Sequence, residues 1–87
     1  AQGNAIAQWK LGNLYLKGLG TTLDKEKAFQ YYLLSANQGN FTGLGKLARC
    51  YENGIGVDPD LKLAIEYYKL VAKKGSGFAQ EKLKKFQ

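Results

Sequence analysis

Apolar residues recur every three or four positions along most of the chain, with polar residues between them. This spacing matches the 3.6-residue period of a helix and does not match the alternation of a β-strand. We predict five helices, near residues 4–17, 24–38, 41–53, 59–74 and 77–86. On the first helix the predicted apolar stripe consists of Ala7, Leu11, Leu14 and Tyr15. On the third helix it consists of Leu44, Leu47, Ala48, Cys50 and Tyr51.

Turn-forming residues separate the predicted helices. Gly18 and Gly54 follow the first and third helices, where a left-handed cap conformation favours glycine. Pro59 is expected in the first turn of the fourth helix, because the missing N–H is not needed there. The expected side-chain acceptors for the free amides at helix starts are Asp24 and either Asp58 or Asp60.

The sequence repeats itself with a period of 36 residues. Residues 3–38 and 39–74 are identical at 13 of 36 positions, and a third copy begins at Gly75. The shared residues include paired tyrosines, which appear as Tyr31-Tyr32 and Tyr67-Tyr68. Each copy contains two predicted helices, so the chain is predicted to be a stack of helix pairs.

The repeat resembles the Sel-one-like repeat family, a branch of the tetratricopeptide-like α-solenoids. In the first copy the matching residues are Leu11, Gly12, Tyr15, Gly18, Gly20, Asp24, Lys27, Ala28, Tyr31, Tyr32, Ala36 and Gly39. In the second copy they are Leu47, Tyr51, Gly54, Gly56, Val57, Asp60, Ala64, Tyr67, Tyr68, Ala72 and Gly75. The sequence departs from the family pattern at Thr21, Ala48 and Leu63.

The resemblance implies an all-α fold, a right-handed α-solenoid of two full repeats and a terminal helix. We expect residues 1–87 to form one repeat domain, divided into repeats 3–38 and 39–74 and a partial third repeat or capping helix at 75–87. About three units are usually needed for stability. We therefore expect further repeats on the N-terminal side of the native protein. Members of this family act as adaptors or scaffolds, so the resemblance implies neither catalysis nor a fixed ligand for this chain.

Composition argues against an enzyme. The chain has no His and one Cys, which excludes Ser-His and Cys-His nucleophile pairs and histidine-containing zinc sites. We expect no catalytic residue, cofactor, metal or small-molecule substrate. No apolar run is long enough for a membrane span and no secretory signal is visible. The single Cys gives no indication of an oxidising compartment, and the localisation stays open.

Several motifs have a chemical and a structural interpretation, and the structural one is favoured in each case. The Gly-x-Gly segments at 18–20 and 54–56 follow a helix, so a turn is favoured over a phosphate loop. The acidic residues near helix starts are interpreted as caps. The paired tyrosines are interpreted as packing within and between repeats. Cys50 is interpreted as a small core residue.

The first helix of each tetratricopeptide-like pair lines the concave surface, so the residues on that face are the candidates for binding a partner. They are Trp9, Asn13, Leu16, Lys17, Thr42, Arg49, Glu52, Asn53, Phe78 and Lys85. Trp9 and Arg49 are the expected anchors, because aromatic and Arg side chains dominate interface energies. Packing of Trp9 at the N-terminal end of the stack is the alternative.

The net charge of +6 is concentrated at the C-terminal end. Residues 69–87 contain Lys69, Lys73, Lys74, Lys82, Lys84 and Lys85 against one acid, Glu81. We predict a protein or peptide partner on the concave face. The alternative is an electrostatic binder of nucleic acid or an anionic surface through these lysines, which we disfavour because cations suit helix C-termini and solubilise a terminal helix. The oligomeric state is left open.

Overall fold

The computed structural model describes residues 2–86, which form five α-helices and no strand. The helices are α1 (Gln2–Lys17), α2 (Lys25–Asn37), α3 (Phe41–Asn53), α4 (Leu61–Lys73) and α5 (Gly77–Lys85). Each boundary lies within two residues of its predicted position. The all-α class predicted from the 3.6-residue period is therefore confirmed.

Polar side chains cap the starts of four helices. Asp24 accepts a hydrogen bond from the Lys27 amide at 3.0 Å, and Asp60 accepts one from the Leu63 amide at 3.1 Å. Asn40 and Ser76 cap α3 and α5 in the same way. These bonds satisfy backbone N–H groups that have no partner within the helix.

The predicted place of Pro59 in the first turn of α4 is wrong. Asp60, not Asp58, occupies the cap position, so Pro59 precedes the helix. Its ring lies instead over Gly54, which ends α3 with φ 69° and ψ 41°. A Cβ on Gly54 would lie 2.8 Å from Pro59 Cγ, so glycine is needed there for space as well as for conformation.

Successive helices pack against one another along the chain, and α1 also contacts α3. The larger core cluster lies among α2, α3, α4 and α5, and consists of Ala36, Leu44, Leu47, Ala48, Ala64, Tyr68, Val71 and Ala79. The smaller cluster lies between α2 and α3 and consists of Ala28, Tyr32 and Cys50. One tyrosine of each pair is fully buried, as predicted: Tyr32 in the first repeat and Tyr68 in the second.

Helix α2 is held between α1 and α3 by a small buried side chain. The hydroxyl of Ser35 donates a hydrogen bond to the Ala5 carbonyl at 2.7 Å. On the other side, a Cβ on Gly43 would lie 2.7 Å from Ser35 Cβ and 2.9 Å from the Ala36 nitrogen. The helices therefore approach closely only because both residues are small.

The predicted apolar stripe is correct for α3 and wrong for most of α1. Leu47 is fully buried, whereas Leu11, at the same repeat position, is 38% exposed. Ala7 and Leu14 are also exposed. In α3 this face belongs to the core cluster that also contains Ala36 of α2, whereas Ala7, Leu11 and Leu14 belong to neither core cluster described among residues 2–86. The same sequence pattern therefore gives a core in one repeat and a surface in the other.

Candidate functional site

A cleft of about 240 Å³ lies between α3 and α5, and we call it the aromatic cleft. Its lining residues are Phe41, Thr42, Gly45, Lys46, Arg49, Val71, Ser76 and Phe78. Phe41 is 48% exposed and Phe78 is 49% exposed, so two aromatic rings remain open to solvent in one apolar cleft. Exposed aromatic surface next to a concave pocket is typical of interaction sites.

Local structure determines where these side chains lie. The α3 residues that line the cleft are spaced by three and four positions, so they share one helix face. Ser76 caps α5 by accepting a hydrogen bond from the Ala79 amide at 3.2 Å, which places Phe78 in the first turn. The Phe78 ring meets the buried Tyr68 ring edge-on at a centroid distance of 6.1 Å. Phe78 is therefore supported on one side and exposed on the other.

A second, smaller cleft of about 40 Å³ lies between the first repeat and α3. Its lining residues are Leu16, Tyr32, Lys46, Arg49, Cys50 and Ile55. Lys46 and Arg49 line both clefts, so they form the boundary between them. Two apolar clefts therefore flank one pair of cations.

The charges around Lys46 are mainly positive. Burial lowers the pKa of Lys46, and the nearby Arg49 and Lys17 cations lower it further, whereas Cys50 acts in the opposite direction. The ion pairs formed among residues 2–86 involve Glu52 with Lys82 and Glu81 with Lys84, and none involves Lys17, Lys46 or Arg49. We call these three residues the cationic ridge. Their mutual repulsion makes the ridge a favourable place for an anionic group.

The predicted anchor Trp9 is half-buried. Its ring packs against the cluster of Ala28, Tyr32 and Cys50. Its indole nitrogen is buried and has no hydrogen-bond partner among residues 2–86. The Lys10 ammonium lies 5.9 Å from the ring centroid. Trp9 therefore contributes to packing of the first repeat, and its predicted role as an anchor stays a prediction.

Two other predicted residues form hydrogen bonds inside the chain. Asn13 accepts a hydrogen bond from the Tyr32 hydroxyl at 2.5 Å. Glu52 accepts one from the Tyr68 hydroxyl at 2.6 Å and forms an ion pair with Lys82 at 3.1 Å. Burial alone would raise the pKa of Glu52, but the bonds from Tyr68 and Lys82 outweigh it and lower the pKa. Glu52 thus joins α3 to both α4 and α5.

The remaining predicted residues separate into two groups. Thr42, Arg49 and Phe78 line the aromatic cleft, and Leu16 lines the smaller cleft. Lys17, Asn53 and Lys85 are exposed and line neither cleft. Whether these residues bind a partner stays a prediction.

Sequence reasoning missed Phe41 and Lys46 as lining residues of the clefts. Phe41 is the first residue of α3, directly after the cap Asn40, so its place relative to α5 depends on how the two repeats stack. For Lys46 a signal was present, because it lies three residues before Arg49 and therefore on the same face.

Cys50 and the buried tyrosines belong to the core, as predicted. Burial raises the pKa of the Cys50 thiol to about 12 and that of Tyr32 to about 12. A thiol with so high a pKa is almost entirely protonated near neutral pH and is therefore a poor nucleophile. The other, partly exposed tyrosine of each pair stacks on a tyrosine from the first helix of the same repeat. The ring centroids of Tyr31 and Tyr15 are 5.6 Å apart, and those of Tyr67 and Tyr51 are 5.8 Å apart.

Two of the C-terminal lysines have partners inside the chain. Lys82 binds Glu52, and its ammonium lies 5.8 Å from the Phe78 ring centroid. Lys84 lies 3.7 Å from Glu81 in an exposed pair, which contributes little to stability. Of these two lysines, Lys82 therefore attaches α5 to α3.

Between residues 2 and 86, none of the helices is both long and apolar enough to cross a membrane.

Comparison with known proteins gives one consistent result. The family model described as "Sel1 repeat" matches residues 5–40 and 43–76. A Sel1 repeat protein from Oxalobacter formigenes is 36% identical over 93% of this chain, with a TM-score of 0.89. The protective antigen c5321 of uropathogenic Escherichia coli, described as displaying an SLR fold, is 40% identical over 94% of the chain, with a TM-score of 0.86. Helicobacter pylori cysteine rich protein B is 26% identical over 88%, with a TM-score of 0.83.

The chain spans 61%, 18% and 58% of these three proteins in the same order. Comparison with curated protein sequences finds no match. Proteins built from Sel1 repeats are in general non-catalytic scaffolds for protein interactions. The two consecutive matches to the family model cover most of the chain, and they show that it belongs to the Sel1 repeat family.

Proposed function

We propose that this chain is a non-catalytic interaction module that binds a protein or peptide partner on the concave face formed by α1, α3 and α5. In this proposal, residues 1–87 form one repeat domain, which consists of repeats 3–38 and 39–74 and a capping segment at 75–87. The observation that carries the proposal is the aromatic cleft, where Phe41 and Phe78 are half-exposed beside the cationic ridge.

Three features of that cleft support binding rather than catalysis. Its side chains are mostly aromatic, aliphatic or cationic, and no carboxylate or thiol lines it. The nearest thiol, Cys50, faces the smaller cleft and has a raised pKa. The cleft, at about 240 Å³, is also smaller than pockets that enclose small molecules, which suits a side chain of a larger partner.

The electrostatic alternative receives less support. Lys82 is bound by Glu52, and the Lys84 pair is exposed. Lys73 and Lys85 lie in the last turns of their helices, where a cation is favourable to the helix itself. We therefore expect the C-terminal lysines to affect the association rate more than the affinity.

The proposal is tested by site-specific photo-crosslinking in cells that produce the protein. A photoreactive residue at Phe78 should yield a defined covalent adduct, whereas the same residue at Leu70 should not. Leu70 is a matched control because it is 45% exposed, similar to Phe78, but lies on α4 and lines neither cleft.

The crosslinked partner is then purified for equilibrium binding. Phe78→Ala or Arg49→Ala should weaken binding by about 1–3 kcal/mol, and Leu70→Ala should leave it unchanged. Lys84→Glu together with Lys85→Glu should mainly change the association rate, by slowing it and weakening its salt dependence. Binding that is abolished by the lysine changes and insensitive to Phe78→Ala would contradict the proposal and favour the electrostatic alternative.

A further inference from the structure

We infer that the two clefts and the cationic ridge form a recognition site for an acidic segment of a partner protein, in which Asp or Glu side chains lie next to large apolar side chains. The inference rests on the proposed function and names the class of partner. The carboxylates would contact Lys46 and Arg49, and the apolar side chains would enter the aromatic cleft and pack against Leu16 and Ile55 at the smaller cleft.

The charge of the cationic ridge is not balanced among residues 2–86. Within the part of the chain that the structure describes, the cationic ridge has no acidic partner. The nearest acid on α3 is Glu52, and its carboxylate is already engaged by Tyr68 and Lys82. Three cations that have no acidic side chain paired with them are complementary to a ligand that carries carboxylates.

Lys46 is only half-exposed, and the charges of Arg49 and Lys17 add to the cost of keeping it protonated. A bound carboxylate would offset both contributions, because an opposite charge stabilises the ammonium form. A purely solvated lysine face would not show this combination, since exposed lysines keep their full hydration.

Apolar surface lies on both sides of the cations. Phe41, Val71 and Phe78 lie on one side, and Leu16 and Ile55 lie on the other. A nucleic acid would instead require a line of cations along its phosphate backbone. The alternation of apolar, cationic and apolar surface matches a polypeptide whose acidic residues are flanked by apolar ones.

The test uses a random peptide library displayed on phage and selected on the immobilised protein. The enriched peptides should contain at least two acidic residues next to Phe, Leu, Ile or Trp. One selected peptide is then synthesised together with two variants, one with Asn and Gln in place of its acids and one with Ala in place of its apolar residues. Both variants should bind at least about tenfold more weakly than the parent peptide.

The protein variants locate the site. Lys46→Gln with Arg49→Gln should weaken the selected peptide at least about tenfold. Lys73→Gln with Lys74→Gln removes the same charge at the end of α4 and should change binding less than about threefold. Circular dichroism establishes that both double variants remain folded, and the peptide variants test the inference independently of protein stability.

The outcomes separate this inference from the proposed function. Enriched peptides that lack acids but lose binding with Phe78→Ala would overturn the acidic specificity and leave the concave binding face intact. Failure to enrich any peptide, or equal effects of the two double variants, would overturn the inference. Tighter binding of a single-stranded DNA oligonucleotide than of the selected peptide would also overturn it.

Discussion

Gly20 and Gly56 occupy the same position of the two repeats, and both have a positive φ, 73° and 69° respectively. Their surroundings differ. A Cβ on Gly20 would have no atom within 4 Å, whereas a Cβ on Gly56 would lie 2.7 Å from the Lys25 carbonyl carbon at the start of α2. The loop of the second repeat therefore packs against backbone of the first repeat, and the loop of the first repeat has no such neighbour.

This difference predicts unequal effects of one substitution. Gly20→Ala should lower the free energy of unfolding by about 1–2 kcal/mol, the cost of a left-handed conformation for alanine. Gly56→Ala should lower it by about 3 kcal/mol, because displacement of backbone is added to that cost. Urea denaturation of the two variants provides the measurement, and equal losses would show that the loop of residues 54–60 does not press on α2.

Leu11 and Leu47 form a second matched pair. Leu47 is fully buried, so Leu47→Ala should lower the free energy of unfolding by about 2–5 kcal/mol. Leu11 is 38% exposed, so Leu11→Ala should cost less than about 1.5 kcal/mol. Thermal and urea unfolding give both values. A loss at Leu11 as large as that at Leu47 would indicate that another surface covers α1 in solution.

Among the helices, α5 is attached to the rest of the molecule partly through one carboxylate, that of Glu52. Glu52 accepts a hydrogen bond from Tyr68 on α4 and pairs with Lys82 on α5. Apolar contacts from Ala79, Leu83 and Phe86 complete the attachment of the C-terminal segment. Helix α5 has nine residues, too few to be stable in isolation, so its order depends on these contacts.

Glu52→Gln should therefore loosen α5 more than the rest of the molecule. The neutral amide weakens the attraction to Lys82, and we expect a loss of about 1 kcal/mol. Amide hydrogen exchange should accelerate in Gly77–Lys85 and remain nearly unchanged in Lys25–Asn37. Glu66→Gln is the control, since Glu66 is exposed on α4. Unchanged protection of α5 would show that its apolar contacts suffice.

At the scale of the whole molecule, the buried thiol and phenols make stability fall in alkali. Burial raises the pKa of Cys50 from 9.0 to about 12, and burial with the nearby Cys50 raises that of Tyr32 from 10.0 to about 12. The pKa of Tyr68 is raised by burial and by its bond to Glu52. Above pH 9 the unfolded chain releases protons that the folded protein retains, so the contribution of Cys50 and Tyr32 is complete below pH 9 and is lost toward pH 12.

Cys50→Ala isolates one of these groups. Between pH 9 and pH 11 the free energy of unfolding should fall less steeply in the variant, by about 1.4 kcal/mol per pH unit. Urea titrations at several pH values give the two slopes. The variant also loses packing, so the comparison concerns the slopes and not the absolute stabilities. Identical slopes would mean that the Cys50 thiolate forms as readily in the folded protein as in the unfolded chain.

The number and type of the helices, their boundaries to within two residues, the 36-residue repeat and the family all follow from the sequence alone. Asp24 and Gly54 act on backbone groups within a few residues of their own position, so local sequence is sufficient to predict their effect. The tyrosine pairs were predictable for a related reason, because their recurrence at 36 residues places them at equivalent positions of two stacked units.

Which face of each repeat is buried, and which predicted binding residues remain accessible, depends on how the helices pack. Leu11 and Leu47 follow the same local pattern, but only Leu47 lies in the larger core cluster, which also contains residues of α2 and α4. Glu52 was predicted as a groove residue, and Lys82, 30 positions away, occupies its carboxylate. Burial and pairing depend on neighbours that are remote in sequence, and a local pattern carries no information about whether those neighbours are present.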